Sequence, residues 1–450
     1  MTHLPTTELA ARCTGRVWLP TSVARAGYDR ERAGFNTALD HRPTVLLAAA
    51  TTADIAEGIR FAAAHDLPVD VQATGHGAHQ AVDGGLLITT RGLTAVEVDP
   101  QRRVARVSAG ATAEDVLAAT CPFGLTAPVG AAPGVGYVSY SLGGGIGPIS
   151  RTLGWAADRI RRLDVVTADG VERTVTADRE PDLFWALRGG GGNLAAVTSL
   201  EVDMEPIADV YGGALFFPGE RAPEVLAAFT RCVQRAPDEL NLSVALLTYP
   251  DLPALPEPLR GRFCCQVRVA HVGSTEAARP HLVELDRLNP LLDTRRRLPM
   301  SEIGTIHADP ATPTRVNSNS LALGEAFEPS QVLPFVGPDA PYVLELRHLG
   351  GSLARPPVVP DAVGHRTAAF HLFTSAYPTV ERGFGAAAQQ AVYDGLGPVG
   401  EGGPLRNFLP TGQTDATTCY EPDTAAELAR LASTWDPSRL FRYAPAVTGR

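Results

Sequence analysis

The chain has 450 residues and is 44 % hydrophobic, enough for two domains with an ordinary globular core. A net charge of −10 speaks against nucleic acid or an anionic membrane as partner. All 39 basic residues are arginine, which excludes Walker A, Schiff-base and lysine-base chemistry.

Residues 1–40 read as a peripheral helical lead-in without a basic, then apolar, leader pattern, which predicts a cytoplasmic location. No apolar run is long enough to span a bilayer. Thr44–Leu47 reads as a strand, Thr52–His65 as a helix with Ile55, Ile59 and Ala62 on one face, and Val69–Gln72 as a second strand. The second strand runs into Thr74-Gly-His-Gly-Ala78. Two hairpins are expected, Ala95–Val98 with Val104–Ser108 and Asp164–Thr167 with Arg173–Thr176. In the second, Asp169-Gly170 favours a type I′ turn. Between them lie a helix at Ala113–Thr120 and a loop over residues 130–147 in which seven of eighteen residues are glycine. A short helix at Pro181–Leu187 delivers a second run, Gly189–Gly192, and Val197–Val202 closes the region as a strand. Short helices mixed with strands predict an α+β class.

Past Met204-Glu-Pro206 the texture changes to many prolines and alternating runs at Leu242–Leu247, Phe263–Val269, Tyr342–Leu349 and Ala368–Phe373. They predict a second domain built on an antiparallel sheet with covering helices. The expected organisation is residues 1–205 as one domain (core about 40–205), 206–400 as another, and 401–450 returning to the first. A final helix is expected at Asp423–Thr434, stopped before Asp436-Pro437.

Six cysteines are scattered without a Cys-x-x-Cys pair, so neither a zinc site nor a disulfide scaffold is expected. Three glycine-rich turns in one half of the chain suggest backbone wrapped closely around one extended, phosphorylated ligand. Gly143-Gly-Gly-Ile-Gly147 lacks the Gly-x-Gly-x-x-Gly spacing of a Rossmann turn. His76 sits between glycines at a strand-terminal turn, where an imidazole could bond to a cofactor; His79, three residues on, competes for that role.

Val71-Gln-Ala-Thr-Gly-His76, Val107-Ser-Ala-Gly-Ala111, Pro133-Gly-Val-Gly136, Leu142-Gly-Gly-Gly-Ile-Gly147, Gly154-x-Ala-Ala-Asp158, Asp182-Leu-Phe-Trp-Ala-Leu-Arg-Gly-Gly-Gly-Gly-Asn193, Gly364-His-Arg366, Asn407-Phe408 and Trp435-Asp-Pro-x-x-Leu-Phe-Arg442 occur in order. Together they resemble the berberine-bridge-enzyme-like flavoprotein oxidases of the vanillyl-alcohol-oxidase superfamily, over roughly residues 40–447. The resemblance implies a two-domain fold with a PCMH-type FAD-binding domain, and an oxidase passing hydride from a small-molecule alcohol, amine or C–H substrate to flavin N5, with dioxygen as acceptor. It implies a covalent link from His76 to the flavin 8α-methyl. FAD would be held by Thr74, Gly75, Gly77, Ala78, Val135, Gly136, Gly143, Gly144, Gly147, Val197 and Asn407. A secondary-metabolite substrate fits by association.

Two positions depart from the family pattern. Ala132 stands where many relatives carry a second, cysteinyl link, so a single covalent bond is expected. Leu405 replaces the tyrosine that often assists proton removal, which leaves Tyr140, His348, His365, Tyr377 and Tyr420 as unranked candidates. It also leaves open a flavin-binding protein without net turnover, such as a cyclase, an isomerase or a drug-binding resistance protein.

Overall fold

In a computed structural model, which describes residues 4–21, 25–377 and 385–447, the strands fall into three sheets. The first contains β1 (Arg16–Trp18), β2 (Val45–Ala48), β3 (Val69–Gln72) and β4 (Leu86–Thr89) in the order β1-β2-β4-β3. β2, β4 and β3 run parallel, and β1 adds antiparallel to β2. The helix Thr52–Ala64 supplies the crossover, and its start is fixed chemically. Thr51 and Asp54 form a capping box, and the Asp54 carboxylate also accepts the backbone N–H groups of Thr14, Gly15 and Ala50. The N-terminal region is thus more than a helical lead-in. Three residues of β1 are too few to carry a periodic signal.

The second sheet is antiparallel, with β5 (Val96–Asp99), β6 (Val104–Ser108), β7 (Ile160–Thr167), β8 (Glu172–Val175) and β9 (Ala195–Asp203) in the order β5-β6-β9-β7-β8. The turn joining β7 to β8 differs from the type I′ expectation. Of its residues only Gly170 has positive φ, at +72°, whereas type I′ needs positive φ at both central positions. The loop instead has three residues and closes with Thr167 and Val171 hydrogen-bonded. Asp169 is held in the turn by Thr167, Val171 and Arg173.

The third sheet is formed by β10 (Asp209–Pro218), β11 (Leu240–Thr248), β12 (Phe263–His271), β13 (Leu292–Asp293), β14 (Arg296–Pro299), β15 (Asn317–Leu323), β16 (Val343–His348) and β17 (Phe370–Ala376). Its order is β13-β10-β12-β11-β16-β17-β15, with β14 also on β10, and every pairing is antiparallel. The alternation read from the sequence separates two faces. Val267, Val269, Leu242, Val244, Leu346 and Leu372 pack into one core with helices Ala222–Val233 and Thr275–Asp286. The residues between them face the other way. The class is α+β, as the texture of the sequence implied.

The C-terminal segment returns to the first two sheets. Asp436 accepts the N–H groups of Leu440 and Phe441, and Val69 at the start of β3 donates to Leu440 O at 2.8 Å. Across the middle of the molecule, Arg188 is 1 % exposed. It donates to the carbonyls of Ala157, Val359 and Pro360 and lies 3.7 Å from Asp361. Arg366 joins Asp361 to Asp158. This buried charged seam ties residues 154–190 to residues 359–366. Removing one partner of such a set strands the remaining charge and carbonyls without water. Arg188→Ala is therefore expected to cost about 3–5 kcal/mol of stability. Chemical denaturation reads this directly, with Arg188→Lys recovering only part because a single ammonium cannot replace the guanidinium fork.

Candidate active site

β3 ends at Gln72, and the chain then turns at Gly75, whose φ of +76° is the left-handed value that a Cβ would strain. A side chain there would also meet Gly34 Cα at 2.6 Å. The turn presents His76 with its ring stacked on Phe35, at 3.8 Å between centroids and 16° between planes. Thr74 Oγ1 lies 2.7 Å from His76 Nδ1 and accepts from Gly136 N at 3.3 Å. The Thr74 hydroxyl and His76 Nδ1 share this hydrogen bond, which fixes the ring. Burial depresses the His76 imidazole to about 4, so it is neutral through the physiological range. His79 is pushed lower, to about 3, and is 8 % exposed.

His76 opens onto a cavity of about 1330 Å³. Ordinary small-molecule pockets hold roughly 300–1,000 Å³, so this one has room for a dinucleotide-sized group and a second small molecule. Thr74, Gly75, Gly77, Ala78, Val135, Gly143, Val197 and Asn407 all line it. Side chains added at Gly77 and Gly192 would meet no protein atom within 4 Å, so the backbone is bare toward the cavity there. Gln72, 4 % exposed, turns both amide atoms to this wall without a protein partner. Bare backbone, an unpartnered buried amide and a neutral imidazole together suit a large polar cofactor with a planar ring.

Gly136, Gly144 and Gly147 lie outside the cavity lining. Gly144 packs on Trp155, and a Cβ at Gly147 would stand 1.8 Å from Val129 O, so these two are required by packing. Ala132 lines the cavity, whereas none of the six cysteines does.

The five proton-acceptor candidates separate. Tyr140 and Tyr377 line the cavity. His348 is engaged with Arg151 Nη1 at 3.2 Å. His365 contacts Thr418 O at 2.9 Å, and Tyr420 donates to Gly189 O at 3.1 Å; both are packed in the seam between the C-terminal segment and the rest of the chain. Leu405 is 3 % exposed and packs with Ile146, Trp155 and Leu349.

The third sheet supplies a further wall, and its charged residues are ones that the sequence reading did not single out. Arg268 on β12 and Glu345 and Arg347 on β16 face the cavity. Arg268 Nη1 lies 2.9 Å and Arg347 Nε 3.0 Å from Glu345 Oε1, with His307 Nε2 at 3.3 Å. The arginines hold the Glu345 carboxyl well below the usual range, and burial keeps His307 neutral. The signal was present in the sequence. Polar residues at every second position of an apolar strand, Gln266 and Arg268 or Glu345 and Arg347, mark a face that is not core.

Comparison with known proteins agrees with this geometry. Residues 43–176 match the family model described as an FAD binding domain. The chain carries an FAD binding domain. Over 165 residues it is 32 % identical to (R)-6-hydroxynicotine oxidase of Paenarthrobacter nicotinovorans, covering 36 % of each chain. It is likewise 32 % identical to an FAD-dependent monooxygenase of Cochliobolus heterostrophus, over 42 % of this chain and 37 % of that one. The matches thus span about a third to a half of the first curated relatives' lengths. At the level of fold the likeness is complete. 6-Hydroxy-D-nicotine oxidase of Arthrobacter nicotinovorans superposes with a TM-score of 0.83 at 21 % identity, covering 97 % of this chain and 98 % of that one. The berberine-bridge-like protein 1 of Physcomitrella patens gives 0.84 at 17 % identity, covering 100 % of both. The likeness in fold therefore extends over nearly the whole chain, well beyond the matched FAD binding domain.

Asn407 donates to Tyr140 O at 2.8 Å, and a Cβ on Gly143 would stand 1.8 Å from its Oδ1. Gly143→Ala is expected to expel the Asn407 side chain, lowering stability by about 1–3 kcal/mol and reducing FAD content of the purified protein. Adding Asn407→Ala removes the obstacle. The double variant should match Asn407→Ala alone to within about 0.5 kcal/mol, measured by thermal denaturation as a double-mutant cycle.

Proposed function

We propose that the protein is an FAD-dependent oxidase of a small molecule, with the cofactor attached through His76 alone and the substrate held between the flavin ring and the β12–β16 face. One observation carries the reading. A single cavity is bounded at one side by the glycine turn with its neutral histidine and at the other by a polar sheet face. When bound, FAD takes up two electrons from substrate and delivers them to dioxygen, giving hydrogen peroxide.

The residues have separable tasks. Thr74 and Phe35 orient the His76 ring, and its depressed basicity keeps the imidazole neutral, the form in which a ring nitrogen can attack. Bare amides around Gly77 and Gly192 bind the polar length of the cofactor. Asn407 reaches in from the C-terminal segment beside Gly143.

Tyr140 is the cavity residue we assign to the reacting end of the substrate. Its hydroxyl is buried without a protein partner, and burial raises its ionisation well above the ordinary value, only partly offset by Arg347. It therefore stays protonated near neutrality and donates to a substrate oxygen or nitrogen. Ala132 and the absence of any cysteine from the wall support a single link. With Leu405 packed in the core, proton removal does not depend on that position.

Acid precipitation of the purified protein should retain yellow colour in the pellet, and His76→Ala should release it. Attachment of added FAD to apoprotein should proceed at nearly constant rate from pH 6 to 8, because His76 is already neutral there. A rate rising through an apparent pKa near 6.5 contradicts the role of burial. Anaerobic substrate should bleach the flavin absorbance, and admitted air should restore it with one equivalent of peroxide; a flavin-holding scaffold does neither.

A further inference from the structure

We propose that the substrate, in the active site assigned above, carries a carboxylate that docks on the Arg268–Arg347 fork, with an apolar body lying along Tyr249 and Phe216. The proposal rests on the oxidase reading only for the location of the reacting end.

Register places the two arginines on one face. Arg268 pairs with Ser243 across β12 and β11, and Ser243 pairs with Arg347 across β11 and β16. One rung on, Gln266, Ala245 and Glu345 form the adjacent row. Two guanidinium charges thus share one carboxylate. Arg268 is 6 % and Glu345 5 % exposed. The histidines facing the set, His307 and His371, are held neutral by burial, and Tyr140 stays a phenol. Asp309 lines the same cavity but is exposed to water, which screens it. The buried face therefore carries one uncompensated positive charge.

Its donors are also incompletely used. Arg268 Nη1 lies within ion-pair distance of Glu345, yet neither it nor Nε makes a well-directed hydrogen bond, and Arg347 Nε is in the same condition. An unspent charge with unspent N–H groups on a buried cavity wall is a seat that an anion would complete. A carboxylate fits the planar guanidinium geometry best.

The apolar arm follows from the neighbouring contacts. Gln266 Oε1 accepts from Arg268 at 3.1 Å and from Tyr249 Oη at 3.2 Å. Tyr249 packs on Phe216 at 6.3 Å between centroids, and Leu255, Leu259 and Leu292 extend that side of the cavity. The acid end and the greasy end are thus contiguous.

The test uses the FAD-loaded protein, with flavin content measured first by absorbance. Benzoate, phenylacetate and 4-phenylbutyrate are each titrated beside the corresponding amide, and binding is read from the flavin difference spectrum and by calorimetry. At least one acid should bind ten-fold or more tighter than its amide, and Arg347→Met and Arg268→Met should each erase that preference while flavin content stays unchanged. Equal affinity of every acid and amide, or no binding by any, overturns the proposal even when flavin loading is complete. Protein that takes up no FAD overturns the oxidase reading itself, whatever the acids do. If a variant does not fold, the acid-to-amide ratio of the unaltered protein decides alone.

Discussion

A cavity of about 1330 Å³ through the middle of a folded chain is the constraint on which the remaining structure depends. Such a space stays open only if the surrounding elements cannot collapse into it. The chain meets that need with dry, directional ties outside the cavity. Arg188 is locked to three carbonyls behind the glycine run. Arg151 is held by the carbonyls of Leu240 and Leu349 and by His348. Both are arginines whose hydrogen bonds join segments far apart in the chain, Arg151 to the third sheet and Arg188 to the 359–361 loop, so the separation of those segments is set by fixed bond lengths.

Within that frame each sheet does a different job, and the difference follows from side-chain alternation. The third sheet spends one face on an aliphatic core beneath two helices. Its opposite face is therefore free to carry charge, provided each charge has a neighbour. Glu345 between Arg268 and Arg347 satisfies that condition for three groups at once. In the first sheet β2, β4 and β3 run parallel, and its contribution comes from a strand end. β3 delivers the turn at Thr74–Ala78 as parallel strands typically do, with chemistry beyond their carboxyl ends.

Much of this was legible in the sequence because it rests on local rules. Helix Ala113–Thr120 appears with its expected bounds because Thr112 and Asp115 form a capping box that needs no tertiary help. The glycine runs marked where backbone approaches something closely, and Gly75 and Gly143 do so. What escaped was decided over long distances. Gly144 and Gly147 look like Gly143 in sequence, and only the positions of Trp155 and Val129 separate a packing glycine from one lining the cavity. His365 and Tyr420 look like chemistry until Thr418 and Gly189 are found holding them. The β7–β8 turn escaped for a smaller reason. Asp-Gly suits a two-residue turn, but Asp169 is caught by Arg173 and the loop takes a third residue.

The arginines of the third sheet show how such a reading can be sharpened. Alternation marks the strands, and by itself it does not say what covers the polar partner in each alternation. An antiparallel sheet exposed to water would fill that face with threonine, serine and short charged pairs at high exposure. Here Gln266, Arg268 and Glu345 are all under 9 % exposed, so a second layer of protein must cover them. Long polar side chains opposite one another on adjacent central strands, in a domain whose other face is already helix-covered, imply a covered polar interior. On the proposed reading, that interior is the place where substrate recognition is built. The charge left over on it sets which functional groups it will admit, and its depth sets how strongly, because electrostatic selectivity grows as water is excluded.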